Sequence, residues 1–185
     1  MTIDETMDRL NARLHIGGEE AKEGWKILNV RPDDNTDYIG NVTDLSMFRN
    51  ESWDEIYASH ILEHLDYRAE LPHVLTELYR ILKADGVLKI SVPDLEILAK
   101  LLVHPGLNFQ ARFHVMRMIM GGQTNPYDYH KVAFTFEFMQ VFLGQAGFKT
   151  LKRVQSHGIF DDASDFTPYG VRISLNVEAY KYASQ

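Results

Sequence analysis

The chain has 185 residues, of which 45% are hydrophobic and 24% charged, a composition that predicts one globular domain spanning residues 1–185. Its net charge of −7 and the absence of a basic run argue against nucleic acid or an anionic membrane as the main partner. The sequence contains no cysteine, which excludes disulfides and thiolate chemistry and fits a cytoplasmic protein, and no apolar run is long enough to cross a membrane.

Three short strands are predicted near the start of the chain, at residues 13–16, 26–30 and 38–42. Only residues 17–24 and 31–37 connect them, whereas a parallel crossover that contains a helix needs a dozen residues or more. We therefore expect reduced helices over these strands and one sheet face without cover. Exposed apolar sheet is seldom left open, so we expect a homodimer, or the segment 1–12, to cover it.

The next pattern is a strand, a helix and a second strand. Residues 54–59 predict a strand, and apolar residues recur at helical spacing from Leu71 to Leu82. Gly86 is predicted to end this helix in the left-handed conformation, before a strand at 87–92. Such a unit predicts a largely parallel sheet, in which ligands bind at the carboxyl ends of the strands.

The second half of the chain predicts three helices followed by two strands. The helices are expected at residues 95–103, 108–120 and 135–146, with Thr135 as the N-cap and Gly147 as the stop of the last. An apolar stripe from Phe109 to Met120 predicts a core or interface face. Strands are expected at 148–154 and in the alternating segment 173–180, whose alternation predicts one wetter face, and 155–170 is expected to be a solvated connection.

Several motifs resemble, in their order along the chain, the class I S-adenosylmethionine-dependent methyltransferases, and more closely a compact bacterial subgroup of them. They are GWKILN at 24–29, SHILEHL at 59–65, RILKADG at 80–86, KISVPD at 89–94, GGQ at 121–123, DYHK at 128–131 and ISLNV at 173–177. The resemblance implies an α/β Rossmann-like fold with a seven-stranded, mostly parallel sheet and an antiparallel terminal strand. It also implies methyl transfer from S-adenosylmethionine to a small or sugar-like acceptor.

The same resemblance implies where the cofactor binds. The cofactor-binding residues are expected to be Gly17, Gly18, Asn29, Asn41, Val42, Asp44 and Ser59. Where the family carries a second spaced glycine and two acidic residues, this chain has Glu19, Asn29 and Asn41. An amide forms weaker bonds to a ribose hydroxyl than a carboxylate does, so binding can be weak or absent. The alternative function is therefore a non-catalytic module of this fold for dimerisation or partner binding.

Three side chains are candidates for catalysis: His60 and Glu63 after the fourth strand, and His130 in a glycine-rich loop. A histidine near its ordinary pKa can take a proton from an acceptor hydroxyl during methyl transfer. The sequence from His60 to His64 also matches the H-x-x-E-H pattern of inverted zinc peptidases. This motif begins at a strand end and no third ligand is evident, so the sequence predicts no metal site.

Overall fold

The computed structural model describes residues 12–182, so nearly all of the segment 1–12 lies outside the described residues. Its sheet has seven strands: β1 (Arg13–Ile16), β2 (Trp25–Asn29), β3 (Tyr38–Ile39), β4 (Trp53–Ser59), β5 (Leu82–Pro93), β6 (Thr150–Val154) and β7 (Ser174–Tyr180). The spatial order is β3-β2-β1-β4-β5-β7-β6, with the first five strands parallel and β7 antiparallel to both of its neighbours. The predicted fold class is confirmed.

Four α-helices complete the fold of residues 12–182: α1 (Glu70–Ile81), α2 (Leu95–Leu102), α3 (Phe109–Met120) and α4 (Phe136–Ala146). The hydroxyl of Thr135 accepts a hydrogen bond from the Phe138 N–H and caps α4, while Gly147 ends it at φ 111°, as predicted. No helix lies between β1 and β2 or between β2 and β3, which confirms the reduced connections. Within residues 12–182 the helices are also too short and too polar to traverse a bilayer.

The predicted role of Gly86 is wrong. Helix α1 ends at Ile81, and Leu82 is already extended and begins β5, so Gly86 lies inside a strand. A Cβ atom on Gly86 would lie 2.8 Å from the backbone oxygen of Asp54, which is closer than real Cβ contacts come. Glycine is needed here because β4 approaches β5 closely, next to a register shift at Trp53 and Glu55, and not because the chain turns.

The uncovered face predicted over the first three strands is closed except near its edge, where Val30 is 40% and Ile39 is 63% exposed. Ile16 and Ile27 are each 2% exposed and Leu28 is 0% exposed within the single chain. One face packs on α1, α4 and residues 42–53, and the other is covered by residues 155–170, whose Phe160 packs between Trp25 and Tyr57. A homodimer stays a prediction, and only the exposed Val30 and Ile39 near the β3 edge remain of the patch that suggested it.

Residues 155–170 are therefore not the solvated connection that was expected. Asn176 in β7 donates from Nδ2 to the backbone oxygens of Gln155 and Ser164, both at 3.1 Å. The Tyr57 hydroxyl donates to Asp162 at 2.8 Å. Ser174 and Asn176 of β7 are therefore buried, and the wetter face predicted for this strand is absent there. Their polar groups need no water because residues 155–170 supply the hydrogen-bond acceptors.

The apolar stripe of α3 is exposed rather than part of the core of this chain. Phe109 is 76% exposed and Phe113 is 51% exposed, while Val115 is the buried residue of the helix. Val115 packs with Leu98 of α2 and with Ile173 in a small second core. The stripe stays available as an interface, the other interpretation that its sequence allowed.

A pH-dependent stability follows from His15, whose ring lies 4.1 Å from that of Phe160 and 5.1 Å from that of Tyr57. Burial lowers the pKa of His15 to about 4, although the Asp162 carboxylate acts in the opposite direction. The unfolded chain takes up this proton near the ordinary pKa of 6.5, so the stability from neutral His15 is present above that pH and is lost as the pH falls towards 4. Between about pH 7.5 and pH 4.5 we expect the wild type to lose about 2–3 kcal/mol more than His15→Leu in urea unfolding. Equal losses in the two proteins would contradict this assignment.

Candidate active site

A cavity of about 400 Å³ lies at the carboxyl ends of β1 to β4. Residues that directly follow these four strands form its walls, among them Gly17 after β1, Asn29 at the end of β2, Asn41 and Val42 after β3, and His60 after β4. These five were all predicted as site residues. Of the other predicted cofactor residues, Gly18, Asp44 and Ser59 do not line this cavity.

The turn after β1 depends on glycine and on Asn29. Gly17 has φ 75°, and a Cβ atom there would lie 2.3 Å from Cδ1 of Ile61 across the cavity wall. Asn29 donates from Nδ2 to the Gly18 oxygen at 2.9 Å and accepts at Oδ1 from the Arg31 N–H at 3.0 Å. Both ends of this buried amide are therefore used to hold the turns after β1 and β2 together.

The turn after β3 is built by a different asparagine. Oδ1 of Asn41 accepts from the Thr43 N–H at 3.1 Å, and the side chain of Asn41 is exposed. Three residues later, Asp44 makes the same kind of bond: its Oδ1 accepts from the Ser46 N–H at 3.1 Å. Hydrogen bonds from Ser46 lower the pKa of Asp44. Asn41 thus presents its amide at the cavity wall, whereas Asp44 is occupied in its own turn.

His60 and Glu63 form a buried pair directly after β4. Nδ1 of His60 lies 3.1 Å from Oε1 of Glu63, which is 1% exposed. Nε2 of His60 lies 3.1 Å from the Ser174 hydroxyl, which donates its own proton to the Ala163 oxygen, so Nε2 is the donor. Burial lowers the pKa of His60, but the hydrogen bond and charge of Glu63 outweigh it and raise the pKa overall. Burial likewise raises the pKa of Glu63, and the bond and charge of His60 lower it overall, so each partner favours the charged form of the other.

The loop after α3 brings His130 to this pair. Asp128 organises the loop by accepting from the backbone N–H groups of Gly122 and Thr124. The backbone N–H of Lys131 donates to the backbone oxygen of Glu63 at 2.7 Å. Nδ1 of His130 donates to the Ile119 oxygen at 3.1 Å, which leaves Nε2 with a free lone pair. Burial lowers the pKa of His130 against the opposing charge of Glu63, so the ring is neutral at pH 7.

A second cavity of about 250 Å³ lies on the other side of the pair. His60 lines both cavities, and His130 lines the second together with His114, Arg117 and Phe166. His60 therefore stands between the two spaces, with the buried Glu63 paired to it and His130 on the wall of the second cavity. This arrangement can hold one molecule at the strand ends and a second molecule beside α3, with a proton acceptor at their boundary.

Several lining residues were missed by the sequence analysis. Arg31, Thr43 and Lys131 were not predicted, although each directly follows a predicted site residue or lies close to one. His64 was considered only as a partner of His60, yet its ring lies 4.9 Å from that of His130. No local pattern could have revealed this contact because the two residues are far apart in the chain.

Comparison with known proteins agrees with this geometry. Residues 19–90 match a family described as a methyltransferase domain, and this range includes the ends of β2, β3 and β4 and the residue His60 that follows β4. The fold is that of the class I methyltransferases. The resemblance to the class I methyltransferases predicted from the sequence is thus confirmed for the fold. A search of curated proteins found no match.

Three solved structures share the fold of this chain. A possible exported protein from Bordetella parapertussis is 12% identical with a TM-score of 0.58, covering 97% of this chain and 65% of that one, so this chain spans slightly less than two thirds of its length. A SAM-dependent methyltransferase, possible histamine N-methyltransferase, from Thermotoga maritima is 18% identical with a TM-score of 0.57, and the match covers 92% of this chain and 82% of that one. The 1,6-didemethyltoxoflavin-N1-methyltransferase of Burkholderia thailandensis, with S-adenosylhomocysteine bound, is 15% identical with a TM-score of 0.58, covering 98% and 75%.

Proposed function

We propose that the protein transfers a methyl group from S-adenosylmethionine to a small or sugar-like acceptor that carries a hydroxyl. The observation that carries the proposal is the cavity at the ends of β1 to β4, whose walls include the predicted residues Gly17, Asn29, Asn41 and Val42. Its volume of about 400 Å³ lies within the range of about 300–1,000 Å³ usual for small-molecule sites. Crevices at the carboxyl ends of parallel strands are the usual ligand sites of such sheets.

In this proposal the cofactor lies over the turn at Gly17 with its ribose near Asn29 and its adenine near Asn41 and Val42. The acceptor enters the second cavity and places its hydroxyl at Nε2 of His130. S-adenosylmethionine, when bound, would supply the methyl carbon with its sulfide as leaving group, and Nε2 of His130 would accept the proton that the acceptor hydroxyl loses. Methyl transfer requires mainly that the two reactants are held in line, which two cavities meeting at one boundary can achieve.

A second candidate function is a non-catalytic module of the same fold that binds a partner, and the hydrogen bonds of Asn29 favour it. Both ends of the Asn29 amide are already used by Gly18 and Arg31, so it offers the ribose less than a free carboxylate would. Glu19 also lies on the wall of the cavity, where the family has glycine. A homodimer and a cytoplasmic location are part of the proposal under either function.

Calorimetry with S-adenosylmethionine separates the two candidates. Binding in the micromolar range supports the enzyme, because that range is typical of working cofactor sites. Absence of binding at millimolar cofactor, in a protein that is folded by circular dichroism, would overturn methyl transfer and leave the module.

The placement of the adenine predicts the effect of Asn41→Asp. A carboxylate keeps the bond from the Thr43 N–H and adds a charge-assisted acceptor for the adenine amine. We expect S-adenosylhomocysteine to bind about five- to tenfold more tightly in calorimetry. Asn29→Asp is the matched control, because it loses the donor to the Gly18 oxygen and should weaken binding. Unchanged affinity in Asn41→Asp together with tighter binding in Asn29→Asp would show that the adenine lies elsewhere.

A further inference from the structure

Glu63, His64 and His130 bring three metal-binding side chains together beside the proposed cofactor cavity. One ligand atom from each lies within 4.8 Å of the others. In a tetrahedral zinc site with metal–ligand distances of about 2.1 Å, the ligand atoms are about 3.4 Å apart. Closing this cluster around an ion therefore needs shifts of about 1 Å, which side-chain rotations can provide.

The hydrogen bonds of the two histidines prepare them as ligands. Nδ1 of His64 donates to the Tyr129 oxygen and Nδ1 of His130 donates to the Ile119 oxygen, both at 3.1 Å. Each ring is thereby fixed in the tautomer whose Nε2 carries a lone pair. Metal-bound histidines nearly always donate their other N–H to a carbonyl or carboxylate in this way, because it fixes the orientation of the ring.

Glu63 supplies the independent indication of a missing partner. Its carboxylate is 1% exposed, and Oε2 has no hydrogen-bond partner among residues 12–182. A buried carboxylate oxygen without a donor is costly, and a bound cation removes that cost. The Lys131 and Val132 N–H groups, which donate to the Glu63 backbone oxygen, keep His130 beside it.

We propose that Glu63, His64 and His130 bind one divalent transition-metal ion of the zinc type. Two imidazoles and one carboxylate favour such an ion over magnesium or calcium, which prefer oxygen ligands alone. His60 is not a ligand, unlike the first histidine of the inverted zinc peptidases, because its two nitrogens already face Glu63 and Ser174. Three protein ligands leave a position for a further group, as in catalytic zinc sites.

The role of the ion rests on the proposed function, whereas its binding does not. His64 lines the cofactor cavity and His130 lines the second cavity, so the ion lies at the boundary between them. A bound acceptor hydroxyl would lose its proton more readily there, because a divalent ion stabilises the alkoxide. The lone pair of His130 is then used by the ion, so in this arrangement the hydroxyl proton goes to solvent water in the second cavity and not to Nε2 of His130.

Titration of chelator-treated protein with Zn²⁺, followed by calorimetry, tests the proposal. We expect one ion per chain, and at least tenfold weaker binding in Glu63→Gln and in His64→Ala. His114→Ala is the matched control, because His114 lines the second cavity outside the cluster and should bind Zn²⁺ as the wild type does. Glu63→Gln keeps the side-chain volume, and circular dichroism of each variant verifies its fold.

Two results would overturn the metal site: absence of stoichiometric binding, or equal losses in His114→Ala and His64→Ala, which indicate adventitious surface binding. Co²⁺ titration adds a spectroscopic measurement, since a tetrahedral site containing imidazole gives visible absorption that Glu63→Gln should reduce. S-adenosylhomocysteine binding without Zn²⁺ binding would refute the ion and leave the proposed function standing. Zn²⁺ binding without cofactor binding would refute the proposed function and leave the metal site standing.

Discussion

Replacing Arg80 by alanine is expected to lower the free energy of unfolding by about 3 kcal/mol. All five guanidinium N–H donors of Arg80 are used: two bind Glu77, two bind the backbone oxygens of Leu45 and Phe48, and one binds Oδ1 of Asn50. The loss leaves these acceptors without their donor and detaches residues 45–50 from α1. For a chain of this size we expect the melting temperature to fall by about 6–12 °C.

Two further variants separate the contributions of Arg80. Glu77→Ala removes only the partly exposed ion pair and should cost about 1 kcal/mol or less. Arg80→Lys keeps the charge but not the fork of donors, so it should resemble Arg80→Ala more than the wild type. The bonds to Leu45 and Phe48 also steady the segment after β3, so S-adenosylhomocysteine binding should weaken in both Arg80 variants. A loss below about 1 kcal/mol in Arg80→Ala would contradict this account.

Replacing His130 by alanine is expected to reduce methyl transfer to a hydroxyl acceptor by about 10²- to 10⁴-fold, which is about 3–5 kcal/mol of barrier. The reason is the free lone pair of Nε2 at the boundary of the two cavities, whether it meets the hydroxyl directly or through an ion. The measurement is the turnover number under saturating cofactor, with an acceptor found by screening hydroxylated small molecules. S-adenosylhomocysteine affinity should stay unchanged, because His130 does not line the cofactor cavity.

His114→Ala is the matched control for His130→Ala. His114 also lines the second cavity, but its Nδ1 is paired with the Tyr169 hydroxyl at 2.9 Å. The His114→Ala substitution should therefore change the Michaelis constant for the acceptor more than the turnover number. A His130 variant whose turnover stays within a few-fold of the wild type would show that the loop histidine is structural. If the turnover does fall, chelator treatment of the wild type distinguishes a free base, which works without metal, from a metal ligand, which does not.

The parts of the fold that sequence could predict are those set by local chemistry. Thr135 and Gly147 were recognised because a cap and a left-handed stop depend on neighbouring residues alone. Gly86 was misassigned because a glycine required by the close approach of another strand looks the same in sequence as one required by a turn. Only the position of the Asp54 oxygen, supplied by β4, distinguishes the two.

The candidate site likewise contains residues that the sequence could place and residues that it could not. Gly17, Asn29 and Asn41 could be placed because residues that follow parallel strands must meet at one edge of the sheet. The covering role of residues 155–170 could not be predicted from the sequence. It depends on one aromatic side chain, Phe160, and on polar groups that pair with β7. The contact of His64 with His130 was equally hidden, since tertiary packing and not spacing brings them together.

The position of β7 has a consequence for how this protein is made. β7 follows β6 in the chain, yet it lies between β5 and β6 and pairs with both. A nascent chain that has not yet reached residue 174 therefore carries two strands whose inner edges have no partner. Open edges of this kind template association with other chains, so translation that stalls or ends before Ser174 should produce an aggregation-prone fragment rather than a smaller folded protein.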